Sequence, residues 1–83
     1  MFFYVYMIKS VDRLKVKTYV GYSSNIKLRL KKHNSSKGAK STKGYKWKII
    51  YKKKFNTRSD AMSYEYLLKK DRKKRSIILK RNQ

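Results

Sequence analysis

The sequence predicts an α+β fold: a small three-stranded antiparallel sheet flanked by helices, in the order β-β-α-β-α-α. Two apolar runs, 2–8 and 47–55, are rich in aromatic and β-branched residues, which favours strands. After Thr57 and Asp60, a Thr-x-x-Asp variant of the capping box, apolar residues recur at helical spacing. A chain of 83 residues has room for one hydrophobic core, so we expect residues 1–83 to form a single domain.

Shorter patterns predict the elements between the two apolar runs. Residues 16–21 alternate partly and suit a second strand, which pairs with the first as a hairpin across a polar turn at 10–15. Asn25 ends a Ser-Ser-Asn stretch typical of a helix N-cap, so we expect a short helix from Ile26 to about His33. The apolar residues of this segment also alternate as in a strand, but the cap and the good helix formers favour the helix.

The rest of the chain contains a loop and a basic end. Residues 34–44 are rich in Gly, Ser, Thr and Lys, a composition typical of a loop. We expect Asp71 to begin a last helix, over about 71–81, in which Lys and Arg predominate.

The net charge of the chain is +21 at pH 7, from 25 Lys and Arg against 4 Asp and Glu. Such an excess repels itself and costs stability, so we expect a polyanionic partner. The basic residues run through nearly every segment, whereas binding to a membrane surface favours one amphipathic helix with a basic face. The distribution therefore predicts nucleic acid, and not a membrane, as the partner.

Several kinds of chemistry are excluded by composition. The chain has no Cys and one His, so it has no disulfide, no thiol nucleophile and no Cys-rich zinc site. No apolar run reaches the ~20 residues of a membrane span. The first residues lack the basic region and cleavage site of a signal peptide, so we expect an intracellular protein, cytoplasmic or nucleoid-associated.

The four acidic residues are informative because they are so few. Asp12 falls in the predicted turn, and Asp60 and Asp71 fall where helix caps are expected, which leaves Glu65 in the middle of a helix. Glu65 could form an ordinary i,i+4 pair with Lys69. Alternatively, it could face a site and hold a hard divalent ion through one carboxylate oxygen and water. Any metal mechanism in this chain depends on Glu65.

Five further residues have both a structural and a functional interpretation. Tyr6 and Tyr19 would lie on adjacent strands of one hairpin, where side chains on one face approach to about 5 Å. Most tyrosines fill the core, but positive charge nearby would favour a phenolate that accepts a proton. Gly21 either lets a phosphate approach the backbone or simply ends the strand. Arg29 and His33 would share one helical face, as solvated or packing residues or as part of a site.

Together, these residues resemble the GIY-YIG nuclease family. The first signature triplet of the family occurs as Tyr-Val-Tyr at 4–6, where only the final tyrosine is the usual residue, and the second as Tyr-Val-Gly at 19–21. Arg29 stands where the family places an arginine on its first helix, and His33 matches a histidine that many members carry one turn later. Glu65 matches the single metal-binding glutamate of the family.

The likeness is greatest to the small stand-alone branch of YhbQ/YazA type. That branch shares the Tyr-Val-Tyr-Met-Ile opening at 4–8 and the His-Asn-Ser-x-Lys-Gly-Ala-Lys-x-Thr-x-Gly pattern at 33–44. It also shares the Tyr-x-x-x-Phe-x-x-Arg-Ser-x-Ala pattern at 51–61 and Glu-Tyr-x-x-Lys-Lys at 65–70. The match covers about 3–72. The sequence lacks the first Gly and Ile of the signature and an asparagine found after the glutamate in homing-type members. We expect no appended DNA-recognition domain.

The resemblance implies an endonuclease that hydrolyses phosphodiester bonds in nucleic acid, in the first place DNA, with one Mg²⁺ or Mn²⁺. Glu65 would hold the ion, and Arg29 would neutralise charge on the transition state. Tyr19 would position the attacking water with Tyr6 in support, and His33 would orient water or relay a proton.

Four other residues are implied to contact the nucleic acid. Lys37, Lys40 and Lys43 of the loop would grip flanking phosphates, and Gly21 would leave space for the strand.

Other functions agree with the same composition. The chain could be a basic nucleic-acid-binding protein without catalytic activity, or a nuclease subunit that needs a protein partner for specificity. Membrane-surface binding is the weakest alternative. The residues leave open whether the substrate is DNA or RNA, which structure is cut, and the oligomeric state.

Overall fold

The structure is a computed structural model and describes residues 1–12 and 14–82. The described residues form three strands and three α-helices in the predicted order, which confirms the α+β fold. The elements are β1 (Phe3–Ser10), β2 (Thr18–Ser23), α1 (Ile26–Asn34), β3 (Trp47–Phe55), α2 (Arg58–Lys70) and α3 (Arg72–Arg81). None of the described helices is long and apolar enough to cross a membrane.

The sheet has the order β2-β1-β3, and both pairings are antiparallel. Because β1 is the central strand, its side chains are covered on both faces, and the four residues from Val5 to Ile8 are all buried. Met7 pairs with Tyr51 and Ile8 with Ile49, so Ile50 is an extra residue that forms a bulge in β3.

Alternation along the strands divides the core between the two faces of the sheet. On one face, Val5, Met7 and Val20 pack against Ala61 and Leu68 of α2, together with Ile78 of α3. The other face carries Tyr6, Ile8 and Trp47. Partly buried residues from β2, α1, β3 and the loop before β3 pack on this second cluster: Tyr19, Ile26, Leu30, Ile49 and Tyr45. Tyr6 and Tyr19 therefore point to the face that α1 covers.

Side-chain caps fix where the helices begin. The side chains of Asn25 and Thr57 accept hydrogen bonds from the backbone N–H of Leu28 and Asp60, each at 3.1 Å. Asp71 caps α3 in the same way at 3.0 Å from the N–H of Lys74. These contacts satisfy N–H groups that a helix leaves unpaired, so the predicted starts of all three helices are confirmed.

The strand ends differ from the prediction. β1 continues to Ser10, and β2 runs from Thr18 to Ser23, so Gly21 lies inside the strand and does not end it. The polar turn was predicted at 10–15, where residue 13 lies outside the described residues. The predicted loop at 34–44 contains one turn of 3₁₀ helix, Lys40–Thr42.

Candidate active site

A buried chain of hydrogen bonds lies between the sheet and α1. The Tyr6 hydroxyl is 2.8 Å from Nε2 of His33, and Nδ1 of His33 is 3.0 Å from the hydroxyl of Thr42. All three side chains are at most 1% exposed. Burying a polar group is costly unless it is hydrogen-bonded, so these bonds fix the positions of all three side chains.

The hydrogen bonds of Thr42 determine which nitrogen of His33 carries a proton. The Thr42 hydroxyl donates its single proton to the carbonyl oxygen of Ala39, at 2.7 Å. It can therefore only accept from His33, so Nδ1 carries the hydrogen and Nε2 keeps its lone pair. Tyr6 in turn donates to Nε2. His33 is thus a neutral proton acceptor aimed at the Tyr6 hydroxyl.

The pKa values of this pair agree with that assignment. Burial raises the pKa of Tyr6 above its usual value, although the neighbouring Arg29 guanidinium acts in the opposite direction. Burial, with the Arg29 charge in addition, lowers the pKa of His33 below 6.5. Both groups are therefore neutral at pH 7, with the proton on the tyrosine.

Two glycines make room for this pair. A Cβ atom at Gly21 would lie 2.6 Å from the Tyr6 hydroxyl oxygen, because Gly21 is the cross-strand partner of Tyr6. A Cβ atom at Gly38 would collide with Nδ1 of His33. Gly21 is buried and Tyr6 occupies the space above it, so a side chain at position 21 would displace the Tyr6 hydroxyl. The phosphate contact of Gly21 stays a prediction.

Arg29 lies on α1, one turn before His33. Its Nε atom is buried and has no hydrogen-bond partner among the described residues. Tyr6, Tyr19 and Glu65 all raise the pKa of the guanidinium, and the interaction with the Tyr6 hydroxyl is the largest effect. A buried N–H group without a partner is costly, so this guanidinium is suited to an anionic ligand that completes its hydrogen bonds.

Tyr19 lies on the same face as Tyr6 but is not directly opposite it. Tyr19 pairs with Ile8, whereas Tyr6 pairs with Gly21, so the two tyrosines are diagonal neighbours. The ring of Tyr19 lies 5.1 Å from the ring of His33, centre to centre. Tyr19 is only partly buried and therefore forms the outer wall of the site.

Glu65 lies on α2, which packs on the opposite face of the sheet from α1 and also contacts the edge strand β2. Its side chain is 18% exposed, and one oxygen lies 3.7 Å from Nζ of Lys69, so the expected i,i+4 pair is present. This distance exceeds a hydrogen bond, and Lys69 is half exposed, so the pair is weak and leaves lone pairs of the carboxylate available. The charge of Glu65 also acts on Tyr6 and Arg29.

The carboxylate of Glu65 is a suitable ligand for a hard divalent ion that is held by few protein atoms. The described residues contain no cluster of three or more His, Cys, Asp or Glu side chains that could enclose a metal. Mg²⁺ is commonly bound by one or two carboxylates, with water and substrate phosphate oxygens in the other positions. Glu65 supplies one such carboxylate, so the residues present suit an ion that binds together with the nucleic acid.

The predicted phosphate-binding lysines lie on the loop that covers His33. Lys37, Lys40 and Lys43 are all exposed, and the loop is fixed beneath them by the buried Thr42. Asn34 also fixes this region, since its side-chain oxygen accepts from the backbone N–H of Trp47 at 2.6 Å.

The sequence analysis did not assign Thr42 and Gly38 to the site. Both lie inside the 33–44 pattern of the YhbQ/YazA branch, which is the signal that could have identified them.

Comparison with known proteins identifies the class to which this site belongs. The family model of the GIY-YIG catalytic domain matches residues 2–78. The chain therefore belongs to the GIY-YIG family, which is a family of nucleases acting on nucleic acid and generally dependent on divalent metal ions.

Within that family, the relatives are small bacterial proteins. UPF0213 protein YazA of Bacillus subtilis is 40% identical over 83 residues, which cover 95% of this chain and 81% of YazA. A UPF0213 protein of Pediococcus acidilactici is 36% identical over 83 residues, covering 96% and 82% of the two chains. The solution NMR structure of a UPF0213 protein from Bacillus halodurans has a TM-score of 0.52 and 32% identity, covering 96% of this chain and 84% of that one.

Proposed function

We propose that this protein is a metal-dependent endonuclease that hydrolyses phosphodiester bonds in DNA without strict sequence preference. The observation that carries the proposal is the Tyr6–His33 hydrogen bond, at 2.8 Å, beside the unpaired Nε atom of Arg29. This arrangement combines a proton acceptor with a cation for the phosphate. Nucleoid association inside the cell, and a role in DNA repair or recombination, belong to the same proposal.

Tyr6 is the residue to which we assign activation of the attacking water. As Tyr6 takes a proton from the water, its own proton passes along the existing hydrogen bond to Nε2 of His33. The hydrogen bond from Nδ1 to Thr42 steadies the resulting imidazolium. The sequence analysis favoured Tyr19 for positioning the attacking water. We assign this role to Tyr6 instead, because His33 can accept its proton. Tyr19 then confines the water from the outer side.

Arg29 and Glu65 act on the phosphate. The guanidinium of Arg29 would donate to a non-bridging phosphate oxygen and stabilise the charge that gathers in the transition state. Glu65 would hold Mg²⁺ or Mn²⁺, which when bound supplies Lewis-acid polarisation of the phosphoryl group and stabilises the leaving oxygen. The exposed Lys37, Lys40 and Lys43 would fix the flanking backbone without reading sequence.

A cleavage screen tests this proposal. Supercoiled, single-stranded, flap and junction DNA, with matching RNA, are incubated with the protein in Mg²⁺ or Mn²⁺. We expect nicking by the parent and a loss of about 100-fold or more in Arg29→Ala, since removing one donor to a transition-state oxyanion costs about that much. The matched control is Arg58→Ala, an exposed arginine on α2, which should nick at the parental rate.

Binding measured in EDTA separates catalysis from affinity. Arg29→Ala should bind DNA within about threefold of the parent, because one of 25 cations is removed. Nicking by Arg29→Ala at the parental rate contradicts the assignment of this residue. Tight binding with no cleavage of any substrate by the parent contradicts the proposal and favours a non-catalytic binding protein. Cleavage that needs an added protein favours a partner-dependent subunit.

A further inference from the structure

A cavity that is separate from the active site lies at the hairpin end of the sheet. It has a volume of about 390 Å³ and is lined by Lys15, Val16, Lys17 and Tyr45. Nζ of Lys17 lies 4.9 Å from the centre of the Tyr45 ring. The volume falls in the range of small-ligand sites, and the lining combines one aromatic ring with two cations.

The cavity is on the same face of the sheet as the active site. Lys17 comes two residues before Tyr19 and Tyr45 two residues before Trp47, and residues two apart on extended chain share a face. The Tyr45 ring packs on Trp47 at 5.7 Å, within the cluster that also contains Tyr6. Two residues of extended chain span about 7 Å, so Lys17 at the cavity, just before β2, is about that far along the chain from Tyr19.

Hydrogen bonds hold the walls of the cavity in place. Ser10 is buried, and its N–H donates to the carbonyl oxygen of Lys17 at 2.9 Å, while its hydroxyl accepts from the N–H of Lys17 at 2.8 Å. The N–H of Val11 donates to the carbonyl oxygen of Lys46, next to Tyr45, at 2.9 Å. The lysine side and the tyrosine side are therefore tied to one another, which lowers the entropy cost of binding.

Apolar side chains are exposed around the cavity. Leu14 is fully exposed, and Val11 and Val16 are 55% and 43% exposed. Val16 lines the cavity itself, so an apolar surface beside the two lysines is open to a partner. Some proteins also insert apolar side chains, with lysines next to them, between base pairs that become partly unstacked.

We propose that this cavity binds one unpaired nucleotide of the nucleic-acid substrate. The base stacks on the Tyr45 ring against Val16, where it replaces the ammonium of Lys17, and Lys17 and Lys15 then contact the phosphate. An acidic peptide would bring charge to the lysines but no flat aromatic surface to the Tyr45 ring, whereas a nucleotide brings both. The biological use of the site rests on the proposed function, but the binding itself does not require cleavage.

The position of the cavity predicts where the unpaired nucleotide lies relative to the cut. Tyr19 and Tyr6 are about 7 and 13 Å away along the strands, which corresponds to about two to four base steps of duplex at 3.4 Å each. The protein should therefore prefer a duplex that carries a bulged nucleotide within that distance of the cleaved bond.

The test uses a duplex with one bulged 2-aminopurine and the same duplex fully paired, both titrated in EDTA so that no cleavage occurs. We expect tighter binding to the bulged duplex, with a change in 2-aminopurine fluorescence. Tyr45→Ala should bind the bulged duplex about tenfold more weakly, in keeping with the loss of one base–aromatic stack, and the paired duplex unchanged. Tyr45→Phe should retain the preference because the π face remains.

Control variants make the result decisive. Phe2→Ala removes another exposed ring under a lysine, Lys54 at 3.7 Å, at the opposite end of β1, and should keep the preference. If Tyr45→Ala fails to fold, Lys15→Ala takes its place, since this exposed side chain also lines the cavity. We expect Lys15→Ala to reduce the preference for the bulged duplex, and an unchanged preference overturns the inference. Equal affinity of the parent for both duplexes, or a preference that survives in Tyr45→Ala, overturns the inference. Because the assay contains no metal, a parent that never nicks DNA can still support it, so the two proposals fail separately.

Discussion

Hydrogen-bonded tyrosines lie on both faces of the sheet, and only one of these pairs is suited to catalysis. On the α1 face, Tyr6 donates to a neutral histidine at 2.8 Å. On the other face, the hydroxyls of Tyr51 and Tyr64 are 2.6 Å apart, and Nζ of Lys74 donates to Tyr64 at 2.8 Å. Both pairs are short, yet their proton acceptors differ.

The pKa values of both tyrosines of the second pair are also shifted. Burial and the hydrogen bond to Tyr64 raise the pKa of Tyr51 to about 12. Burial alone would also raise the pKa of Tyr64, but Lys74 donates to its oxygen and Lys53 lies 4.9 Å from its ring centre, so its pKa is lowered. This pair joins β3 to α2 and α3. A shifted pKa therefore does not by itself identify an active site; Tyr6 is distinguished by His33, Arg29 and Glu65 around it.

The largest expected difference between the two pairs is in the nicking rate. Tyr6→Phe removes the proton that passes to His33, so we expect nicking to fall by about 10²- to 10⁴-fold, the usual contribution of general base catalysis. Tyr51→Phe removes an equivalent hydroxyl from the other face and should nick within about threefold of the parent. Single-turnover rates on supercoiled DNA measure both. Equal losses in the two variants would contradict the proposed role of Tyr6.

A smaller difference is expected in the pH dependence of stability. The folded pKa of His33 lies below its unfolded value of 6.5, so the unfolded state binds more protons as the pH falls below about 6.5. The free energy of unfolding should therefore decrease between pH 7 and pH 5. The lowered pKa of Tyr64 starts from 10.0 and its linkage acts only in alkaline solution.

Urea denaturation at pH 7 and pH 5 measures this difference. His33→Gln should lose part of the decrease that the parent shows, whereas Tyr64→Phe should keep all of it. A decrease that is the same in His33→Gln and in the parent would mean that His33 is not buried in its neutral form.

The sequence predicted local features well, because they depend on neighbouring residues. Asn25, Thr57 and Asp71 cap helices through contacts to N–H groups three residues away, and such spacing is visible in the sequence. The unbroken apolar run at 2–8 likewise predicted a strand, and the structure places this strand at the centre of the sheet. The resemblance to the GIY-YIG family predicted that Tyr6, Arg29 and Glu65 belong to one site.

Features that depend on distant pairing could not be predicted. Tyr6 and His33 are 27 residues apart, and only the packing of α1 on the sheet makes the histidine the partner of Tyr6 and not of Tyr19. The bulge at Ile50 depends on how β3 aligns with β1. The need for glycine at position 21 also depends on cross-strand register, which places the Tyr6 hydroxyl where a Cβ atom would lie.

The central claim is that Glu65 makes this basic protein a metal-dependent nuclease, and a metal titration tests it most directly. Nicking of supercoiled DNA is followed as Mg²⁺ is raised from zero, for the parent, for Glu65→Gln and for Asp60→Asn, which removes the same charge from an exposed position on the same helix. We predict metal-dependent nicking by the parent and Asp60→Asn, and a rate at least about 100-fold lower for Glu65→Gln at every metal concentration. Parental nicking by Glu65→Gln, or nicking by the parent that is unchanged in EDTA, would contradict the claim.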